Sequence, residues 1–171
     1  DDKDLTGDTI PLDANVFMEA SRTYYSEALA PAYWTWVAAQ HAAGNLASIA
    51  AVRNEIDDGR GAGHLKKWAK SLTPTFWVQP TQPSVTAMAV LSAWTMDPTR
   101  TYTAAARRAF LQEADYLLIS EALGGGHVVV TREKSSPEAK KRVLIPDACA
   151  GVGVECREPF KVYEHLGLCL S

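Results

Sequence analysis

The chain is poor in cysteine, with three residues, Cys149, Cys156 and Cys169, among 171. The odd count and the absence of any Cys-x-x-Cys pair argue against a disulfide framework and against a structural zinc site. The three read as reduced thiols, the first two buried, in a cytosolic protein. Long apolar runs are also lacking. Stretches such as residues 28–32 and 117–119 fall far short of the roughly 20 residues that a helix needs to span a bilayer, so no membrane role is expected. Nor is there an excess of positive charge. Seventeen Lys and Arg against 20 Asp and Glu leave a formal net charge of -3. A protein holding long nucleic acid by charge alone is usually basic, so any polyanion would have to be met by a local patch and by bound cations. The histidines His41, His64, His127 and His165 show no His-x-x-x-His spacing, which speaks against a zinc hydrolase. Gly124-Gly125-Gly126 lacks the Gly-x-x-x-x-Gly-Lys pattern of a phosphate cradle and reads as the end of a helix.

Internal repeats, low-complexity tracts and Pro-, Gly- or Ser-rich linkers are absent as well. The chain therefore reads as one domain over residues 9–171. The acidic opening Asp1-Asp2-Lys3-Asp4 is unlike a signal peptide, and residues 1–8 read as a flexible or tag-derived lead.

What is present is an ordinary globular composition, 47% apolar and 22% charged, with strand-like and helix-like segments in alternation. That alternation predicts an α/β domain layered around a mostly parallel sheet. A first strand is expected from Thr9, ending near Leu12-Asp13. Pro31 reads as the first-turn proline of a helix reaching Ala43, closed by Gly44. Ser48 is placed to cap a helix in which Ile49, Val52 and Ile56 recur, and Gly59, Gly61 and Gly63 break it. A short basic helix, His64–Ser71, precedes a strand at Phe76-Trp77-Val78. Residues 84–96 read as a helix with Val85, Met88 and Leu91 on one stripe. Thr103 caps a segment through Gln112, and Asp115–Leu123 is helical. His127–Thr131, with three consecutive valines, reads as a buried strand. After a charged loop, Asp147 stands as a helix N-cap, Val152–Cys156 as a late strand and Pro159–Leu166 as a last helix.

Acidic residues recur at the edges of these elements. Asp13 follows the first strand, and the carboxyl edge of a parallel sheet is where such folds place their sites. Glu55 lies in the helix with Val52 and Ile56, Asp115 at a helix start, Glu133 just past the valine strand and Asp147 after Ile145-Pro146. Each has a plain alternative: a turn former for Asp13, a solvated helix position for Glu55, caps for Asp115 and Asp147. Grouped, they have a chemical logic. Mg²⁺ and Mn²⁺ prefer oxygen ligands, and clustered carboxylates repel unless a cation neutralises them. Paired ions of this kind activate water and stabilise the leaving oxygen of a phosphodiester.

At this point the sequence resembles the PIN-domain ribonucleases. Leu12-Asp13-Ala14-Asn15-Val16-Phe17 is similar to their opening motif, and Ser48 to Glu55-Ile56 to the helix ending in their second acid. Ala114-Asp115-Tyr116-Leu117-Leu118-Ile119 is similar to the third-acid helix. Val128–Glu133 is similar to the strand ending in Thr-x-Asp, with Glu133 replacing the usual Asp. The longer spacing and Ile145-Pro146-Asp147-Ala148-Cys149 look like a less-studied bacterial branch. The resemblance runs from about residue 9 to 160. It implies a three-layer α/β/α sandwich with a mostly parallel central sheet. It also implies an Mg²⁺ or Mn²⁺ site on Asp13, Glu55 and Asp115 with one or both of Glu133 and Asp147, in which Asn15 helps order the acids, a turn former being its plain alternative. By their own positions Thr131 and Ser48 could order the site too, against plain readings as a strand end and a helix cap. The activity implied is metal-dependent endoribonuclease cleavage, water attacking phosphorus in line to leave a 5′-phosphate and a 3′-hydroxyl. In the VapC-like setting of that family the enzyme is the toxin of a toxin–antitoxin pair, bound at rest by an antitoxin protein. Homodimers are common there, and Tyr33, Trp34 and Trp36 are the apolar candidates for such a contact.

The loop from Arg132 to Arg142 is net positive. Arg132, Lys134, Lys140, Lys141 and Arg142 stand against Glu133 and Glu138, which suits an RNA backbone approaching the acids. A solvated surface loop is the plain alternative. Two other functions remain open on sequence: a protein-binding module with a weak or inert acidic site, and a phosphatase acting on small esters.

Overall fold

A computed structural model describes residues 10–11, 13–60 and 63–170. The N-terminal lead at 1–8 and Leu12 of the first motif lie outside the described residues. Helices dominate. In chain order the elements are β1 (Ile10–Pro11), α1 (Ala14–Glu19), α2 (Pro31–Ala42), β2 (Leu46–Ile49), α3 (Ala50–Glu55), α4 (Gly63–Ser71), β3 (Trp77–Val78), α5 (Gln82–Met96), α6 (Ala104–Phe110), α7 (Ala114–Gly125), β4 (Val129–Val130), α8 (Ile145–Val152), β5 (Cys156–Arg157) and α9 (Pro159–His165).

The strands are two to four residues long and fall into two small sheets, β1-β2-β3 and β4-β5. All described pairings are parallel: Ile10 with Leu46, Ser48 with Trp77, Val129 with Cys156. The expected three-layer α/β/α sandwich with a mostly parallel central sheet is therefore not met. The chain forms a helix-rich body holding two short parallel ladders, linked where the Asp13 N–H donates to the Val130 carbonyl at 3.1 Å. Local chemistry keeps the ladders short. Pro11 has no N–H to extend β1, β2 passes straight into α3 at Ala50, and Pro80 and Pro159 follow β3 and β5 within two residues.

The helix ends follow recognisable rules. Pro31 opens α2, and Gly44 turns the chain beyond it at φ 84°. Thr81 and Ser84 form a reciprocal capping box at the start of α5, and the Thr103 hydroxyl accepts the Ala106 N–H at 3.1 Å to start α6. Two expected caps move. Ser48 lies inside β2, so Ile49 is the N-cap of α3, and Leu144 caps α8, leaving Asp147 in its first turn.

Phe17 of α1 is wholly buried, its ring centroid 5.6 Å from Trp68 and 6.1 Å from Phe76. A side chain so placed contributes roughly 1.5–3 kcal/mol through burial. Tyr33 and Trp34 are buried as well, Tyr33 stacked on Tyr25 and hydrogen-bonded to the Tyr163 hydroxyl at 2.6 Å. These two rings are core, not dimer surface, and Trp36 packs partly buried beside them. In α5 the buried stripe is Ser84, Ala87, Leu91 and Thr95, whereas Val85 is 48% exposed. The capping box draws Ser84 inward and sets the rotation of the helix. Gly124 of α7 crosses there so closely that an added Cβ would lie 2.5 Å from the Pro83 carbonyl carbon.

Candidate functional site

Asp13 stands between the end of β1 and α1, on the carboxyl side of the parallel ladder. It is almost fully buried. The Thr131 hydroxyl donates to its carboxylate at 3.1 Å, and the backbone N–H of Asn15 also faces it. The same Thr131 hydroxyl accepts the Glu133 N–H at 3.1 Å. Thr131 thus joins the end of β4 to the first acid. Asn15 orders Asp13 through its backbone; its residue is exposed and lines the cavity.

Asp13, Glu55 and Asp115 line one cavity of 340 Å³ with Asn15, Glu113 and Arg142. Glu55 arrives as the last residue of α3 and Asp115 in the first turn of α7. Sequence positions more than 100 apart therefore meet because α1, α3 and α7 start or end on one side of the β1-β2 ladder. The electrostatics follow from this convergence. Burial, foremost, with the charges of Glu133 and Glu55, raises the Asp13 carboxyl to about 7 against the two hydrogen bonds that lower it. Burial likewise raises Asp115 to about 8, helped by the charges of Asp13, Glu133, Glu113 and Glu55.

Glu133 sits at the margin. One oxygen accepts the Ile145 N–H at the start of α8 at 2.8 Å, and the other meets the Arg142 guanidinium. Arg142 also reaches to 3.8 Å from Asp115. Asp147 does not join this group. Its carboxylate takes the Ser135 hydroxyl and the Ser136 N–H, the latter at 3.0 Å, and it lines a separate hollow with Trp94, Arg100 and Tyr102. Being in the first turn of α8 it points to the loop before that helix, which it anchors. Ser48 is fully buried in β2 and lines no part of the acidic cavity.

The basic loop divides in the same way. Arg132 is held by Glu19 at 2.8 Å and Glu158 at 3.1 Å, with Tyr24 and Phe160 rings under its guanidinium at 5.2 and 4.9 Å. It ties α1 to α9. Lys134, Lys140 and Lys141 are exposed, and Arg142 enters the acidic cavity. Sequence reasoning misses Glu113, although it directly precedes the Ala114-Asp115 motif, and assigns Arg142 to RNA instead of to the acids.

As a donor set, the oxygens of Asp13, Glu55, Asp115 and Glu133 suit a hard dication. Among the described residues, however, no group of three or more His, Cys, Asp or Glu has the spacing that holds an ion as it stands. The residues fit Mg²⁺ or Mn²⁺ in kind, and Arg142 supplies positive charge in the place such an ion would bring it.

Fold and site together define a helix-rich protein with an acidic cavity, open to solvent above a buried Asp13, at the carboxyl edge of a short parallel ladder. The chain belongs to the family described as a domain of unknown function (DUF4411), which matches residues 11–170. No curated protein matches it, and no solved structure does. No helix among the described residues is long and apolar enough to cross a membrane.

Proposed function

We propose that the protein is a divalent-metal-dependent endoribonuclease acting in the cytoplasm as the toxin of a toxin–antitoxin pair. The observation that carries the reading is the meeting of Asp13, Glu55 and Asp115 in one cavity, with two of these carboxyls raised to about 7 and 8 by burial and mutual repulsion. Such a cluster is poised to exchange protons for a cation near neutral pH. The order of the acidic motifs, similar to that of PIN ribonucleases, supports the choice of RNA.

In this reading Asp13, Asp115 and Glu55 would hold Mg²⁺ or Mn²⁺, and Glu133, bound to Arg142 as the site stands, would be the fourth carboxylate within reach. The ion supplies charge neutralisation at phosphorus and a more acidic water. The chain's own residues do the rest. Thr131 and the Asn15 N–H fix the Asp13 carboxylate, the α8 N–H holds Glu133 against recoil, and the exposed Lys134, Lys140 and Lys141 offer positive charge to a phosphate backbone.

The test is cleavage of structured RNA with Mn²⁺ by the intact protein and by Asp115→Asn. We expect the wild type to cleave and the variant to lose at least about a hundredfold in rate, the scale on which removing a key charge acts. Metal-dependent cleavage that survives in Asp115→Asn would overturn the assignment. A second reading has one observation in its favour, the seating of Arg142 among the acids. In it the site is inert and the protein binds a partner protein. Mn²⁺ titration separates the two, because only the nuclease should take up the ion with proton release and a rise in Tm.

A further inference from the structure

A second cavity, of 230 Å³, lies beside the acidic one and is built from the same two helices. From α3, Asn54 faces this cavity and Glu55 the acidic one. From α7, Leu117 and Glu121 face this cavity and Asp115 the acidic one. Its walls are apolar, with Ile49 at the end of β2, Val78 at the end of β3, Met88 and Leu117. The carboxyl ends of parallel strands are where ligands settle in such arrangements.

The polar groups in this cavity can be accounted for one by one. The Ser84 hydroxyl is spent in the capping box, accepting the Thr81 N–H and donating to the Thr81 carbonyl, each at 2.8 Å. The Ser120 hydroxyl donates to the Tyr116 carbonyl at 2.8 Å. That leaves the amides of Asn54 and Gln79 and the carboxylate of Glu121. Glu121 is 8% exposed, and among the described residues no hydrogen-bond donor or cation of the protein meets its carboxylate. Its carboxylate oxygens are not sealed off but open onto the cavity, where water meets them. A ligand bringing matched donors would take the place of that water.

We propose that this cavity is a nucleobase pocket in which Glu121 reads the donor edge of guanine. The inference rests on the ribonuclease reading and names a base that the acidic site would find beside it. The volume is below the roughly 300 Å³ at which pockets for drug-sized ligands begin, so it suits one ring system rather than a longer molecule. A carboxylate has two oxygens and accepts from two adjacent donors. Among the RNA bases, guanine alone presents two adjacent donor groups on one edge, N1–H and the N2 amino group, with the O6 acceptor beside them for an amide N–H of Asn54 or Gln79. Adenine sets its N1 lone pair, and uracil its two carbonyls, against the carboxylate. A guanidinium from a partner protein has the same donor fork but no acceptor, and leaves the two amides unmet.

The experiment is calorimetric titration of the intact protein with guanosine, adenosine and agmatine, in EDTA so that no metal or cleavage is involved. We expect guanosine to bind at least about tenfold more tightly than adenosine or agmatine, since a site built to accept specific donors rejects molecules lacking them. Glu121→Gln should erase that preference, and Asn54→Ala should weaken guanosine alone. The wild-type ratio and Asn54→Ala decide the matter if Glu121→Gln fails to fold. No guanosine binding, equal binding of adenosine, tighter binding of agmatine, or an unchanged preference in Glu121→Gln would each overturn the proposal. Guanosine selectivity in a protein that cleaves no RNA would sink only the nuclease reading. Cleavage without selectivity would sink only the pocket.

Discussion

At the scale of the residue, the raised carboxyls set a pH dependence whose sign is fixed. Asp13 and Asp115 lie near 7 and 8 in the folded chain against the usual 3.8. Between those values the folded protein holds protons that the unfolded chain has released, so stability declines as pH rises, and the benefit is gone once pH passes about 8. Thermal melts in EDTA between about pH 5 and 9 should therefore show a falling Tm, and Asp115→Asn should flatten the slope. A Tm that rose over this range would show the two acids to be ionised and well paired. The residue scale is also where sequence reading does worst. Asp13, Glu55 and Asp115 are recognisable because each stands next to apolar residues at the edge of an element. Asp147 satisfies the same rule yet serves its own loop through Ser135 and Ser136. Arg142 has no local mark of its destination, since only tertiary closure brings it to Glu133.

Elements are more legible, because their boundaries are written in local chemistry. Pro31 with Gly44, Thr103, and the glycines after Leu123 are visible in the sequence and end or begin helices in the structure. Strand length is not visible in this way. The three valines predict a strand of five residues, and two are paired, because pairing depends on what β5 can offer across the ladder. Rotation of a helix is equally hidden when apolar residues surround it. In α5 the choice falls to the capping box and to the crossing with α7, not to hydrophobicity. That crossing supplies a prediction. Gly124→Ala puts a methyl group into the backbone of Pro83 and should destabilise by about 1–3 kcal/mol, the usual cost of overpacking. Urea denaturation would read this as a lower midpoint, and an unchanged midpoint would show that the α5–α7 contact has room.

For the whole molecule, the distribution of contacts matters more than the class of fold. Alternation of helix and strand signals leads to a layered sandwich only if the strands grow long enough to form one sheet, and here prolines and early helix starts prevent it. The body is instead closed by side chains reaching across large sequence distances. Arg132 holds Glu19 and Glu158 together, and Tyr33 meets Tyr163. Removing residues 159–170 should accordingly abolish the cooperative thermal transition, not trim a peripheral helix. Circular dichroism melts would check this, a sharp transition in the shortened protein being the contrary result.

Strand β4, whose neighbour Thr131 steadies Asp13, is itself paired with Cys156 and Arg157. Those two partners follow Asp13, Glu55 and Asp115 in the chain. The three acids are therefore synthesised before the ladder that steadies Asp13, and their convergence waits on a pairing between segments far apart in sequence.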